Sequence, residues 1–316
     1  MKYSAVIRTL GQAGEKYQQT LKSLMMQSCL PSKIVVYIAE GYEIPKETIG
    51  IEQYVYVKKG MVAQRALLYK EIQTEYILFL DDDVYLPSNA IETLYQEMID
   101  NDGQVIAPAL FPNHLVSFKS KLRLTLLGRE VPRIYDKKWG YKVLRTGGFS
   151  YNNNPIKTVY ESTTNAGPCF FCRKEDFLKI HFEEDLWLDE APYAFPEDQV
   201  MYYKMHLYGF KLLTSFDSGI IHLDAGSTMQ SSDDKILKVI YSEYRNKIIF
   251  WYKYIYKYET KIIWKLWCKV CLGYMLMLQY VLSALKLLKG KRAEVNAFLD
   301  GVKDGMEYIR INQKIE

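Results

Sequence analysis

Five apolar residues at positions 76–80 run directly into Asp81-Asp82-Asp83. Like charges at the end of a buried strand repel one another, so a chain keeps them together only where a cation offsets them or water solvates them fully. The same kind of strand recurs before it. Residues 4–9, 33–39 and 54–57 read as strands, and residues 17–27 carry Leu21, Leu24 and Met25 at helical spacing. Residues 61–72 have Val62, Ala66, Leu67 and Tyr69 at a spacing that predicts a helix. Another helix is predicted over 89–99, stopped by Asn101-Asp102-Gly103. Strands alternating with helices predict an α/β fold with a mostly parallel sheet. Ligands of such sheets bind beyond the carboxyl ends of the strands, where the aspartates fall.

Residues 111–162 are irregular and rich in Gly, Asn, Pro and basic side chains, either a functional loop region or a set of short strands. Order returns at 165–172, in a helix over 197–209 and in a strand around 210–214. From Lys235 onward there are 16 Lys/Arg and 7 Asp/Glu, a net of +9, which leaves the first 234 residues with 25 basic and 30 acidic groups, a net of −5. That split predicts an acidic body joined to a basic element that meets an anionic surface. Lys253, Lys257, Lys261, Lys265 and Lys269 recur every four residues among Tyr and Trp, and 16 uncharged residues follow at 270–285. A span usually needs about 20 apolar residues, so this run is short for one. Lysines and rings flanking an apolar face suit an interfacial helix; a re-entrant span, or packing on protein or on a second subunit of a homo-oligomer, stays open. The five cysteines are sparse and odd in number, as in a reduced compartment. Arg8 interrupts the apolar start of the chain, so no cleavable leader is expected there.

Asp81 and Asp83, at i and i+2 where a strand becomes a turn, can approach one hard cation such as Mg²⁺ or Mn²⁺; the alternative is a solvated acidic turn. Glu197 and Asp198 open a helix, where carboxylates complement the helix dipole or one of them serves as a general base. His222 follows a further strand end, as a metal ligand or a structural residue. Two other chemistries are open to these residue types. Asp81-x-Asp83 fits a haloacid-dehalogenase-type phosphatase, and Cys169, Cys172, Cys268 and Cys271 could be taken for a zinc site, although buried inert thiols account for them better. Rossmann and P-loop glycine fingerprints are missing, and no nucleic-acid partner is expected.

The ordered set is more specific than any member. The strand ending in Asp81-Asp82-Asp83, then Pro196-Glu197-Asp198-Gln199 with Gly209-Phe210-Lys211 beyond it, then His222 and Arg245-Asn246, together resemble the inverting, nucleotide-sugar-dependent glycosyltransferases of family 2 over about residues 3–250. The resemblance implies a GT-A fold at 1–230, with a nucleotide-sugar half at about 1–110 and an acceptor half at about 111–230. Residues 231–316 would be a helical, membrane-associating region. It further implies a metal, Mn²⁺ or Mg²⁺, at Asp81, Asp83 and His222. Thr9, Glu40, Arg65, Asp81 and Asp82 would lie on the nucleotide-sugar side, with Glu40 standing in for the family's acidic pair. Asp198 would be the base with Glu197 its neighbour, and Trp187 and Arg245 would lie on the acceptor side. The implied reaction moves a sugar, UDP-linked in the first instance, to a hydroxyl of a glycan or lipid-linked acceptor at the cytoplasmic face of a membrane. A non-catalytic binder on the same fold is the alternative.

Overall fold

The structure is a computed structural model that describes residues 1–111, 117–133, 136–224 and 233–315. Its central sheet has eight strands. The first part of the chain supplies β1 (Tyr3–Thr9), β2 (Lys33–Ala39), β3 (Glu52–Val57) and β4 (Tyr76–Asp81), all parallel in the order 4-1-2-3. After β5 (Val84–Tyr85), the sheet continues with β6 (Val105–Pro108). The middle of the chain holds β7 (Glu130–Arg133), β8 (Tyr141–Val143), β9 (Phe149–Asn152) and β10 (Val159–Ser162). Next come β11 (Cys169–Arg173), β12 (Leu212–Ser215) and β13 (Ile221–His222). Strand β11 lies antiparallel between β4 and β6, and β10 runs antiparallel along the outer edge of β12. This is the mixed α/β, mostly parallel architecture that the alternation predicts.

Period-two alternation assigns each strand's side chains to two apolar layers. In β4, Tyr76, Leu78 and Leu80 face one layer while Ile77 and Phe79 face the other. The first layer is covered by α1 (Glu15–Met25), through Tyr17, Leu21 and Leu24, and by α2 (Ala90–Asp100), through Ile91, Leu94 and Met98. The second layer is larger. After α3 (Phe118–Leu126) and α4 (Lys174–Lys179), it takes Val200, Met201 and Met205 of α5 (Glu197–Leu207) and Ile248–Phe250 of α6 (Asp233–Phe250). Both faces of the sheet are thus covered, as parallel strands require.

One expectation changes, and one open alternative is decided. Residues 61–72 form turns, not a helix. The backbone N–H groups of Val62 and Ala63 donate to the Asp189 carboxylate at 3.1 and 2.8 Å, which fixes one turn. Tyr69 then takes a left-handed backbone (φ 48°) that a helix cannot contain, with its ring buried against Tyr37, Phe79 and Phe177. The apolar spacing was helical, but a remote carboxylate and a buried ring claimed the segment. The irregular middle resolves into α3 and a small sheet in which β7 and β8 flank β9.

Beyond α6 the chain makes a π-helical turn (Trp251–Tyr256) and enters α7 (Ile262–Leu288) and α8 (Arg292–Ile315). Helix α8 lies close along α6. A Cβ on Gly301 would sit 2.4 Å from the Tyr241 carbonyl oxygen, and one on Gly305 2.9 Å from that of Arg245, so the two backbones meet only through glycine. Helix α7 is long and apolar enough to cross a membrane, with a mean hydropathy of 1.6 and only 28% of its most apolar window buried. Ile262, Ile263, Leu266, Trp267, Val270 and Met277 are exposed on it. Part of the lysine ladder turns inward: Lys265 and Lys269 lie over the Tyr256 ring at 5.5 and 5.2 Å, and Lys253 over Trp187 at 5.2 Å. Arg145 ties the start of α7 to the body, ion-paired to Glu259 at 2.8 Å and 4.9 Å from the Trp264 ring centroid.

Candidate active site

Strands β1 and β4 are paired so that Arg8 and Asp81 stand side by side. Arg8 donates from Nε to Asp81 Oδ1 at 2.5 Å and from Nη2 to Oδ2 at 3.1 Å, a fork on both carboxylate oxygens. Its Nη1 donates to the Met61 carbonyl at 3.1 Å, and Nη2 reaches Glu197 Oε1 at 3.4 Å. Burial alone would raise the Asp81 pKa, but the charge and hydrogen bonds of Arg8, with Arg65 and His222 behind them, hold it below the ordinary carboxylate range. Thr9, the last residue of β1, donates its hydroxyl to Asp82 and accepts from the Gly11 N–H at 2.7 Å. Burial, with Asp81 and Asp83 adding their charge against the pull of Thr9, pushes the Asp82 carboxyl up to about 6.

Asp83 turns the other way. The short β5–β13 pairing sets His222 opposite Val84, and His222 Nε2 lies 3.1 Å from Asp83 Oδ2. Burial disfavours the imidazolium, yet the Asp83 contact outweighs it and raises the His222 pKa.

At the start of α5, Asp198 is clamped on both oxygens. Arg65 Nη1 donates to Oδ1 at 3.0 Å and the Gly167 N–H donates to Oδ2 at 2.9 Å. Arg65 is itself nearly sealed and also donates to the Gly167 carbonyl at 2.9 Å. A Cβ on Gly167 would fall 1.7 Å from Asp198 Oδ1, so this approach exists only with glycine. Glu197 is buried beside it. Burial and the neighbouring Asp198 charge, against Arg8 and Arg65, push its carboxyl up to about 8.

Two cavities meet at Arg8, Met61, Asp81 and His222. The larger, about 780 Å³, lies beyond the carboxyl ends of β1 and β4, against Thr9, Asp82 and Asp83. The smaller, about 290 Å³, is floored by Glu197, Asp198 and Gln199 and walled by Phe111 and Phe149. Gln199 Nε2 donates to the Gly147 carbonyl at 2.8 Å, which ties α5 to the 144–148 turn that carries Arg145.

The structure therefore gathers Thr9, Asp81, Asp82, Asp83, Glu197, Asp198 and His222 around one junction. Four expected positions differ. Arg65 does not line the larger cavity: its donors go to Asp198, Gly167 and Asp81, because a buried guanidinium needs carboxylates on every side it can reach. Glu40 is exposed at the end of β2, and the cavity wall nearby is built by Tyr42 and Lys59 instead. Trp187 is buried, its Nε1–H donating to Asp185 at 2.8 Å, and Arg245 bonds the Trp187 carbonyl at 3.1 Å and Glu190 at 2.6 Å. Both brace α6 against the preceding loop and reach neither cavity. Arg8, Gly167 and Asp189 were not foreseen. A charge inside the apolar run of β1 was the available signal for Arg8, since a buried charge requires a partner.

Residues 39–180 match the family model described as glycosyl transferase family 2. The match contains Arg65, Asp81, Asp82, Asp83 and Gly167, while Glu197, Asp198 and His222 lie beyond it. Among solved structures, the chain is similar to GalNAc-T7, crystallised with UDP, GalNAc and Mn²⁺, at 14% identity and a TM-score of 0.49. The similarity covers 70% of this chain and 43% of that one, so the chain spans less than half of that protein's length. No curated protein matches the sequence. The likeness to the glycosyl transferase family 2 model thus spans residues 39–180, which include the strand that delivers the aspartates to the cavity junction.

Proposed function

We propose that the chain moves a glycosyl group from a nucleoside-diphosphate sugar in the larger cavity to a hydroxyl of a glycan or lipid-linked acceptor in the smaller one, with inversion. The observation that carries this is the clamped Asp198 on the floor of the smaller cavity, which meets the larger one beside it. A hydroxyl is too weak an acid to attack unaided, and a fixed carboxylate within hydrogen-bond reach that takes its proton is typically worth about 10²–10⁴-fold. Arg65 and the Gly167 N–H each occupy one Asp198 oxygen, orienting the lone pairs that remain toward the cavity. Arg8 holds Asp81 and Glu197 apart from that task.

The chemistry of the donor set fits a divalent cation at Asp83 and His222. An oxygen and an imidazole nitrogen already sit 3.1 Å apart at the cavity wall, and Mg²⁺ or Mn²⁺ fills its remaining positions from water and phosphate oxygens. Among the described residues no group of three or more such side chains is assembled, and Asp81 is occupied by Arg8. When bound, the ion would supply positive charge to a departing diphosphate. The phosphatase reading needs Asp81 as a free nucleophile, and both its oxygens are held. The apolar, lysine-flanked α7 supports a reading in which the chain sits on an anionic membrane surface.

Thermal shifts with a panel of nucleoside diphosphates, with and without Mn²⁺, test the donor side. Asp198→Asn is expected to keep that shift and lose transfer by about 10²-fold or more. A variant that still transfers would remove Asp198 from the reaction.

A further inference from the structure

Helix α3 carries an apolar strip that faces away from the protein. Phe118 is 81% exposed, Leu126 54% and Leu122 50%, while Leu124, and Leu127 just past the helix, are buried. At about 100° per residue the three exposed side chains, at i, i+4 and i+8, share one face. The same spacing sets Lys119 and Arg123 along one flank of the strip and Lys121 along the other. No acidic residue occurs from 117 to 128. Single exposed apolar residues are ordinary, but three in line on a helix of nine residues are not.

The strip adjoins the apolar C-terminal helix. Gly128, in the turn after α3, packs on Thr146, whose hydroxyl donates to the Gly128 carbonyl at 2.5 Å. Its neighbour Arg145 reaches Glu259 and the Trp264 ring at the start of α7. A second route runs from Arg129 over the Tyr244 ring of α6 at 6.0 Å, from Tyr244 to Phe298 of α8 at 4.7 Å between centroids, and from Phe298 to Tyr280 of α7 at 5.2 Å. Two routes therefore tie the end of α3 to α7, one at its first turn and one past its middle. Phe111, before α3, and Arg129, after it, both line the smaller cavity, so the helix is carried on that cavity's wall.

We propose that α3 is a second membrane contact, which lays Phe118, Leu122 and Leu126 into the surface of an anionic bilayer while Lys119, Lys121 and Arg123 reach its headgroups. This rests on the membrane placement read from α7 and extends it; it does not depend on glycosyl transfer. An apolar strip with cations on both flanks is what a helix lying in the headgroup zone presents. A second copy of this chain fits the strip poorly, because a two-fold contact would set the same three cations against their own kind. Protein interfaces are in general depleted in lysine. Three apolar side chains are too few to hold the chain by themselves. Helix α7 supplies the hold, and α3, linked to it in one molecule, adds to the avidity and keeps the wall of the smaller cavity beside the lipid.

The test is sedimentation of the full chain with two kinds of vesicle, one of phosphatidylcholine alone and one of equal parts phosphatidylcholine and phosphatidylglycerol. The wild type is expected to bind the anionic vesicles more tightly. Phe118→Ser with Leu122→Ser is expected to lower that partition constant by about tenfold or more. Lys119→Gln with Lys121→Gln is expected to lower it by about fivefold, a loss that disappears on the neutral vesicles. Met26→Ser, exposed at the end of α1 across the sheet from α6, is expected to change nothing. None of these side chains is buried, so the unfolding midpoints of all three variants should match the wild type. Anionic-vesicle binding undiminished in the Phe118 and Leu122 pair overturns the proposal and leaves α7 as the membrane element. A loss in that pair with none in the lysine pair overturns the anionic surface as the occupant. Dissociation of a wild-type oligomer by the Phe118 and Leu122 pair, seen by sedimentation velocity without vesicles, assigns the strip to a second copy and overturns the proposal too. A wild type that binds neither vesicle removes the membrane reading of α7 and this inference with it.

Discussion

At Gly167 the chain has no room for a side chain, because the Asp198 carboxylate occupies the place where a Cβ would be. We expect Gly167→Ala to fold, since the three atoms nearest to that Cβ all belong to the Asp198 side chain, and to push Asp198 off its two donors. Turnover should fall by about 10²-fold, the usual cost of misplacing a catalytic group by an ångström, with nucleotide binding unchanged by thermal shift. Glu197 gives a prediction in pH. Its carboxyl titrates near 8 in the folded chain against 4.5 for a free side chain, so the folded state holds this proton more tightly than the unfolded one does. Its stabilising contribution is complete below pH 4.5 and is lost as the pH rises toward 8, at a slope of up to about 1.4 kcal/mol per pH unit. Urea unfolding should therefore show the wild type losing stability from pH 5 to pH 8 relative to Glu197→Gln; parallel curves would contradict the buried-acid assignment. At this scale the sequence revealed the acidic residues, because each follows a strand end or opens a helix. It concealed Gly167, Asp189 and the parts played by Arg8 and Arg65, which depend on remote segments that the fold brings together.

Among elements, legibility followed length. β4 declares itself as an unbroken run of five apolar residues and α2 by its helical spacing, whereas β7 to β10, of three or four residues each, are too short to display a pattern. The 61–72 segment failed for another reason. Its apolar period was helical, but Asp189, over 120 positions away, captured its first N–H groups. The α6–α8 contact makes the element-scale prediction. Gly301→Val forces the helices apart at the Tyr241 carbonyl and should cost about 1–3 kcal/mol of stability, read as a lower urea midpoint. The same change at Gly290, where a Cβ meets nothing within 4 Å, serves as a control for space though not for its left-handed backbone.

For the whole molecule, the charge split foretold a basic C-terminal region, and α7 with its exposed apolar face lies there. What charge counting could not foretell is that several of those lysines would pack over the protein's own rings. Sedimentation with anionic vesicles should therefore depend chiefly on the exposed apolar residues. Trp267→Ala with Ile263→Ala is expected to release the chain from such vesicles, and retention undiminished by the pair would argue that α7 packs against protein instead.

The Arg145 staple has a consequence for anyone who shortens this chain. Arg145 is anchored on Glu259 and Trp264, and its turn holds Gln199, the residue after the proposed base. Cutting away the hydrophobic tail to gain solubility would also slacken the pocket in which the incoming hydroxyl is aimed, so a trimmed enzyme that grips its nucleotide yet turns over slowly would be reporting a missing brace and not a missing reagent.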